Sequence, residues 1–368
     1  MTILSSRALN RATLARQLLL RRSELTVPQA LEHLAGLQAQ STHTWYVGLW
    51  SRLADYTPED TVRLLCERGA VRMALMRSTI HLVTSDDCLW LRPLVEPVIE
   101  RMTMSNFRRG LTGLDLGELV TAGRELLAGR PLTFSELGRE LAGRWPENDP
   151  ASMAQAIRAY VPLVQVPPRG LWGRSGPAAH QAVETWLGKP VDAGASLERL
   201  VLRYLAAFGP ATVRDVQHWC GLTRLAEVVE RLRPELTVFR DEKGRELFDL
   251  PDAPRPDPDT PAPVRFVYDY DNLLRSHADV SRVVTVDYAD QGFGMTGEEP
   301  STVLVDGFAA ATWRIVKQRG TATLTVRPFR KLTGAEEEAV SAEGTALLAF
   351  VAARAKAHDI VFAAPQPG

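Results

Sequence analysis

The sequence predicts an α+β fold that is mainly helical. It reads as three helix-rich units in tandem, each closed by a pair of strands, and then an antiparallel β-rich C-terminal region. Three observations predict this. Apolar residues recur at helical spacing through the first two thirds of the 368-residue chain, as at Leu31, Leu34 and Leu37. A Pro-x-Thr-x-x-acid-apolar pattern occurs twice, in Arg130-Pro-Leu-Thr-Phe-Ser-Glu-Leu137 and in Gly209-Pro-Ala-Thr-Val-Arg-Asp-Val216. Beyond a proline-rich stretch ending at Pro263, apolar and polar residues alternate as strands require.

The elements follow in order. Segments 7–22, 27–38, 58–69 and 86–105 have helical periodicity. Thr57-Pro58-Glu59-Asp60 is a helix start: a cap, a proline at the first position, then acids in the first turn. Val71–Val83 is rich in β-formers and suits a two-stranded wing. Each copy of the repeated pattern gives a short capped helix followed by another, at 151–161 and 223–232. Strand pairs follow at Val164–Gly173 and Leu236–Phe248. Helix–helix–helix–hairpin is the winged-helix plan, and Leu25-Thr-Val-Pro-Gln-Ala-Leu31 is a looser third copy. The expected units are 1–110, 111–194 and 195–252, then a proline-rich linker at 253–263 and a β-rich region at 264–368. That last region holds a meander through Val303–Phe308, Ala311–Val316 and Thr321–Arg327, with an Asp306-Gly307 turn. A closing helix at 335–357 precedes a short strand and a Pro/Gly tail.

Composition narrows the chemistry. No apolar run reaches the length of a membrane span, and the N-terminus lacks a signal-peptide pattern, so the expected location is cytoplasmic with no membrane partner. Cys66, Cys88 and Cys220 show neither disulfide nor zinc spacing, and the seven histidines form no metal-binding pair. No metal or other cofactor is expected. The net charge is −1, yet residues 1–110 hold 14 Arg against ten Asp and Glu. A nucleic-acid surface, if present, belongs mainly in that first third.

Leu34-Ala-Gly-Leu-Gln-Ala-Gln40 closes the second helical segment with two glutamines one residue apart. Glutamine does not titrate, but it carries a carbonyl acceptor and an amide donor. Two such groups hold a water without ionising it. Residues two apart on a helix point about 200° away from each other, whereas on an extended segment they share a side. Gln38 and Gln40 therefore converge on one water only if the helix ends near residue 39. The weak helix formers Ser41-Thr-His-Thr44 permit that. The structural alternative is that the pair caps a helix or satisfies buried backbone groups.

Six segments carry a resemblance in their order along the chain: Leu37-Gln-Ala-Gln40, Gly48-Leu-Trp-Ser-Arg52, Met76-Arg-Ser-Thr-Ile-His-Leu-Val83, Gly209-Pro-Ala-Thr212, Tyr270-Asp-Asn-Leu-Leu274 with Ser276-His-Ala-Asp279, and Val305-Asp-Gly307 with Thr312-Trp-Arg314. Together they resemble the AlkZ/YcaQ-type winged-helix DNA glycosylases, over nearly the whole chain and in the Gln-x-Gln branch. The resemblance implies tandem winged helices in a C-shaped scaffold that embraces DNA. It implies a monofunctional glycosylase that hydrolyses the N-glycosidic bond of N7-alkylated purines. Unhooking of interstrand crosslinks such as those of azinomycin B, as repair and self-resistance, is included. The implied partner is double-stranded DNA carrying alkylated or crosslinked purines, and the implied catalytic pair is Gln38 and Gln40. Arg275, Val280 and Ala311 depart from the pattern expected of relatives.

Other candidates are secondary. Arg77 and His81 alternate along the wing and face DNA, or are a surface arginine and a hydrogen-bonded histidine. Arg314, Lys317 and Arg319 line one hairpin, facing phosphates or solvent. Asp271, Asn272 and His277 form a polar cluster read as structural support for the site. Trp45 and Trp50 read as core or interface, with base stacking as the alternative. The competing functional reading is a non-catalytic winged-helix DNA-binding protein or transcription regulator. Against it, the helix at 151–161 carries only Arg158, and the helix at 223–232 balances Arg224 and Arg231 with Glu227 and Glu230.

Overall fold

The computed structural model describes residues 2–192, 194–285 and 300–364. Its elements are mixed α and β, with strands gathered in three sheets. β1 (Ile3–Leu4) leads into α1 (Ser6–Arg16), whose first turn is capped by the Ser5 side chain. α1 is shorter than the periodicity suggests, because Leu18 turns into the left-handed region at φ +57°. α2 (Val27–His33) begins with a Thr26–Gln29 capping box. It ends five residues before Gln38, and β2 (Leu37–Gln38) follows.

α3 (Trp45–Trp50) and α4 (Pro58–Cys66) complete this helical layer. The expected cap at Thr57 is present and forms a capping box with Asp60, but Arg68 at φ +63° stops α4 early. β3 (Ala70–Ala74) and β4 (Ile80–Thr84) pair antiparallel, as the wing pattern requires, and α5 (Ser85–Phe107) leaves from β4.

The next two stretches repeat one plan. In the first, α6 (Leu116–Gly129), β5 (Leu132–Thr133), α7 (Phe134–Ala142) and α8 (Pro150–Tyr160) precede β6 (Leu163–Gln165), β7 (Ala179–Ala182) and α9 (Val183–Leu187). In the second, α10 (Leu197–Phe208), α11 (Val213–Cys220) and α12 (Ala226–Leu232) precede β8 (Thr237–Asp241) and β9 (Glu246–Asp249). The Thr133–Glu136 and Thr212–Asp215 capping boxes account for the recurring sequence pattern. The strand expected immediately after 165 lies later, at 179–182. Pro167 and Pro168 offer no N–H to a ladder, and Gly170 turns the chain at φ +86°.

Strand pairing crosses the expected unit boundaries. β3 pairs with β6, so the wing of the first unit and the strands of the second form one sheet in the order β2-β4-β3-β6-β7-β5. β1 pairs in parallel with β8, and buried Arg16 of α1 makes a 2.8 Å ion pair with buried Asp249. The start of the chain is thereby fixed to the third stretch.

The proline-rich segment runs along α1, where Thr260 O accepts from Arg11 and Pro258 O from Arg7. β10 (Arg265–Val267) and α13 (Asn272–Arg275) come next, followed by β11 (Thr302–Val305), β12 (Phe308–Gln318), β13 (Thr321–Pro328), α14 (Gly334–Val351) and β14 (Ala357–Phe362). The meander β10-β11-β12-β13 is antiparallel. β14 corrects the expectation of a purely antiparallel region. α14 stops at Val351 and returns the chain across the sheet, so β14 joins β13 in parallel. The Pro/Gly tail at 365–368 lies outside the described residues. No helix among the described residues is long and apolar enough to cross a membrane.

Candidate active site

The exit from α2 sets the geometry of the glutamine pair. Ala35 at φ +55° and Gly36 at φ +83° turn the chain, with Gly36 N–H donating to Leu31 O and Ala35 N–H to Glu32 O. This is a Schellman stop. A Cβ on Gly36 would lie 2.6 Å from Val83 Cγ1, so only glycine allows this approach to β4. The helical periodicity runs to residue 38, and Gly36 is the signal that the helix stops earlier. Both glutamines consequently lie beyond the helix: Gln38 ends β2 and pairs with His81, Ala39 N–H donates to Ile80 O at 2.7 Å, and Gln40 follows just past the strand.

The backbone of this segment is held from several sides. Tyr268 Oη donates to Gln38 O at 2.8 Å, and Arg72 donates to Ala39 O at 2.8 Å. Asn272 donates to Gly36 O at 2.6 Å and Leu34 O at 3.2 Å, while its Oδ1 accepts from Gln38 N–H at 3.4 Å. Asp271 beside it forms a two-pronged ion pair with Arg52, at 2.6 and 2.9 Å, and neither side chain is exposed. Ser41 Oγ, just past Gln40, donates to Asp269. Sequence reading missed Arg52, Arg72, Tyr268 and Asp269 in these positions. Arg52 and Tyr268 sit in or next to the quoted motifs, but nothing local shows that they converge.

The two carboxamides differ in setting. Gln38 is buried and Gln40 is exposed. Arg77 donates to Gln38 Oε1 at 2.6 Å, and Ile80 N–H donates to Gln40 Oε1 at 3.1 Å. Guanidinium and backbone N–H groups only donate, so each must meet the carboxamide oxygen rather than the nitrogen. Each oxygen keeps a second lone pair, and each –NH2 is turned away from that donor.

Of the secondary candidates, Arg77, His81 and Asn272 lie beside the glutamine segment, and the others are dispersed. Arg77 is not on a wing strand but in the single turn Met76–Ser78, so alternation with His81 does not apply. His81 is buried, and its Nδ1 meets Thr79 O at 3.0 Å. A carbonyl only accepts, so Nδ1 carries the proton. Burial and the nearby Arg77 charge push the His81 pKa down to about 3, leaving a neutral imidazole rather than a phosphate-binding cation. His277 is buried far from the glutamines in sequence and meets Phe208 O at 3.0 Å. Arg314 is exposed on β12, whereas Lys317, three residues on, takes the opposite face and donates to Val351 O at 2.7 Å. Arg319 sits in the β12–β13 turn at φ +49°. These three do not form one surface. Trp45 is fully buried, stacked on Tyr46 at 3.9 Å, and Trp50 stacks on Phe350 at 5.7 Å.

A family model described as "DNA glycosylase AlkZ-like" matches residues 31–350. The chain belongs to the AlkZ-like DNA glycosylase family. Among solved structures, Streptomyces sahachiroi DNA glycosylase AlkZ is similar, with a TM-score of 0.75 and 19% sequence identity. That likeness covers 99% of this chain and 100% of the other, and it extends the shared fold to residues outside the family match. No curated protein matches the chain. For an AlkZ-like protein the substrate is DNA, and the family match includes the glutamine segment.

Proposed function

We propose that this AlkZ-like glycosylase hydrolyses the N-glycosidic bond of N7-alkylated purines in double-stranded DNA, using Gln38 and Gln40. The reading extends to unhooking of interstrand crosslinks joined through N7, and to a monofunctional reaction in which water is the nucleophile. Its scaffold is read as tandem winged helices, from the recurring helix–helix–helix–strand–strand plan.

The observation that carries the reading is that α2 stops at His33, so that Gln38 and Gln40 lie beyond the helix on the segment that pairs with β4. Residues two apart on such a segment can share a side; Gln40 is exposed and Gln38 is buried. Glycoside hydrolysis ordinarily needs a carboxylic acid to protonate the leaving group. A purine alkylated at N7 is already cationic and departs neutral, so no acid is required. What remains is an oxocarbenium-like sugar awaiting a placed water, whose spare proton passes to solvent water once the C1′–O bond has formed. A second lone pair on each carboxamide oxygen, together with the two –NH2 groups, supplies fixed dipoles for that placement. Neutral glutamines also act as a filter, since they give no help to the departure of an unmodified base. Asn272, Tyr268 and Arg72 hold the segment's backbone, and the Asp271–Arg52 pair anchors the start of α13 beside it.

The test is incubation with a duplex containing one N7-methylguanine, followed by detection of free base and of an abasic site. Base release supports the reading. Binding without release would leave a DNA-binding protein instead. The same assay on an N7-linked interstrand crosslink decides whether bulky adducts are accepted.

A further inference from the structure

Arg77 has a backbone that arginine rarely adopts. It lies at φ +55° and ψ +22°, and Ser78 after it is also left-handed at φ +61°. Two consecutive L-residues in that region persist only where their surroundings fix them, and such positions gather at functional sites. Here the fixing is explicit. Ser78 N–H donates to Leu75 O at 2.9 Å, Leu75 N–H to Thr79 O at 3.0 Å, and Arg158 of α8 grips both the hydroxyl (3.1 Å) and the carbonyl of Ser78.

The turn delivers one guanidinium to two acceptors from distant parts of the chain. Nη2 donates to Gln38 Oε1 at 2.6 Å, and Nη1 donates to Trp219 O in the last turn of α11. A cation is favoured at that helix end, where carbonyls lack partners. Gln38 is thereby tied to the wing tip, to α11 and, through Ser78, to α8. A freely rotating carboxamide would present oxygen or nitrogen about equally. One held by a donor-only group is locked with its oxygen toward the guanidinium and its –NH2 toward the other side.

We propose that Arg77 is a positioning residue for Gln38 in base excision, not a contact to DNA. The inference rests on the glycosylase reading above. Its content is that Arg77 fixes which end of the Gln38 carboxamide meets the reacting water, and strengthens its N–H groups as donors by polarising the amide. From the left-handed turn the guanidinium reaches Gln38 and Trp219 O.

The backbone itself supplies a clean variant. Glycine favours φ near +55°, so Arg77→Gly removes the guanidinium while retaining the turn; Arg77→Lys keeps the charge without the fork. Single-turnover release of N7-methylguanine and duplex affinity at two salt concentrations are measured for both, for Gln38→Ala and for the Arg77→Gly/Gln38→Ala double variant. We expect R77G to slow release by about ten- to a hundredfold with affinity and its salt dependence unchanged. R77K should recover part of the rate, and R77G should add nothing to Gln38→Ala. Weakened affinity with a shallower salt slope, or losses that multiply in the double variant, would overturn the proposal. A readout independent of activity is the Gln38 side-chain amide signal in glutamine-selective ¹⁵N spectra. It should sit apart from free glutamine in the native chain and move toward it in R77G. An unmoved signal overturns the proposal. Absence of base release by the native chain overturns the glycosylase reading instead, and the spectrum then decides the Arg77–Gln38 link alone.

Discussion

The side chain of Asn272 and the backbone of Gln38 meet across 234 residues of sequence: Asn272 Oδ1 accepts from Gln38 N–H, while its Nδ2 donates to Leu34 O and Gly36 O. One buried amide thus satisfies three backbone groups where α2 turns into β2. Replacing it by alanine leaves those groups buried without partners. We expect Asn272→Ala to destabilise the protein by about 1–3 kcal/mol, read as a shift in urea midpoint at unchanged slope. Base release should also slow, because the Gln38 segment loses its register.

Asp271, the neighbour, depends on Arg52. Both side chains are fully buried and doubly hydrogen-bonded to each other. Removing one partner strands the other charge away from water. Asp271→Ala should cost about 3–5 kcal/mol in chemical denaturation, more than Asn272→Ala. Equal stability of Asp271→Ala and the native chain would show that this pair contributes nothing.

Gly36 is the pivot between helix and strand. At φ +83°, with Val83 Cγ1 only 2.6 Å from where a Cβ would sit, alanine is opposed by both backbone and packing. We expect Gly36→Ala to cost about 1–2 kcal/mol for the left-handed backbone alone, with excision reduced because β2 must move off β4. A differential scanning measurement beside a single-turnover assay checks both effects.

Acidification should weaken the fold through buried histidines. Burial and Arg77 push His81 down to about 3, and burial with Arg158 pushes His180 down to about 4. Burial also lowers His277, with Arg282 adding to the effect and Asp215 opposing it. In the unfolded chain these imidazoles titrate near an ordinary value of about 6.5. Below that value the unfolded state binds more protons than the native state, so stability falls as pH drops from about 6.5 toward 4. Excision under native conditions should be flat between about pH 6 and pH 8, since neither glutamine titrates. A bell-shaped profile in that range would require a titrating catalytic group.

Much of this was legible in the sequence, and what was not has a common cause. Capping signals at Thr57, Thr133 and Thr212 and the alternation in 303–327 are local, so they mark their elements directly. The requirement that Gln38 and Gln40 leave the helix followed from geometry alone. The exact stop did not, because Ala35 at φ +55° is left-handed without being glycine. The inward aim of Arg77 was hidden, since a β-rich stretch hides a left-handed turn at its centre. The join of β3 to β6 and of β1 to β8 is set by long-range packing that no local pattern records. For the same reason, nothing local marks Arg52, Arg72 and Arg16 as buried, although each is.

The most direct test of the central claim is single-turnover release of N7-methylguanine from duplex DNA by Gln38→Ala, Gln40→Ala and the double variant, at enzyme concentrations that saturate binding. We expect each single variant to lose about tenfold or more in rate, and the double variant to lose little beyond the worse of the two, as groups that hold one water act together. Full-rate release by all three would contradict the assignment of chemistry to the glutamine pair.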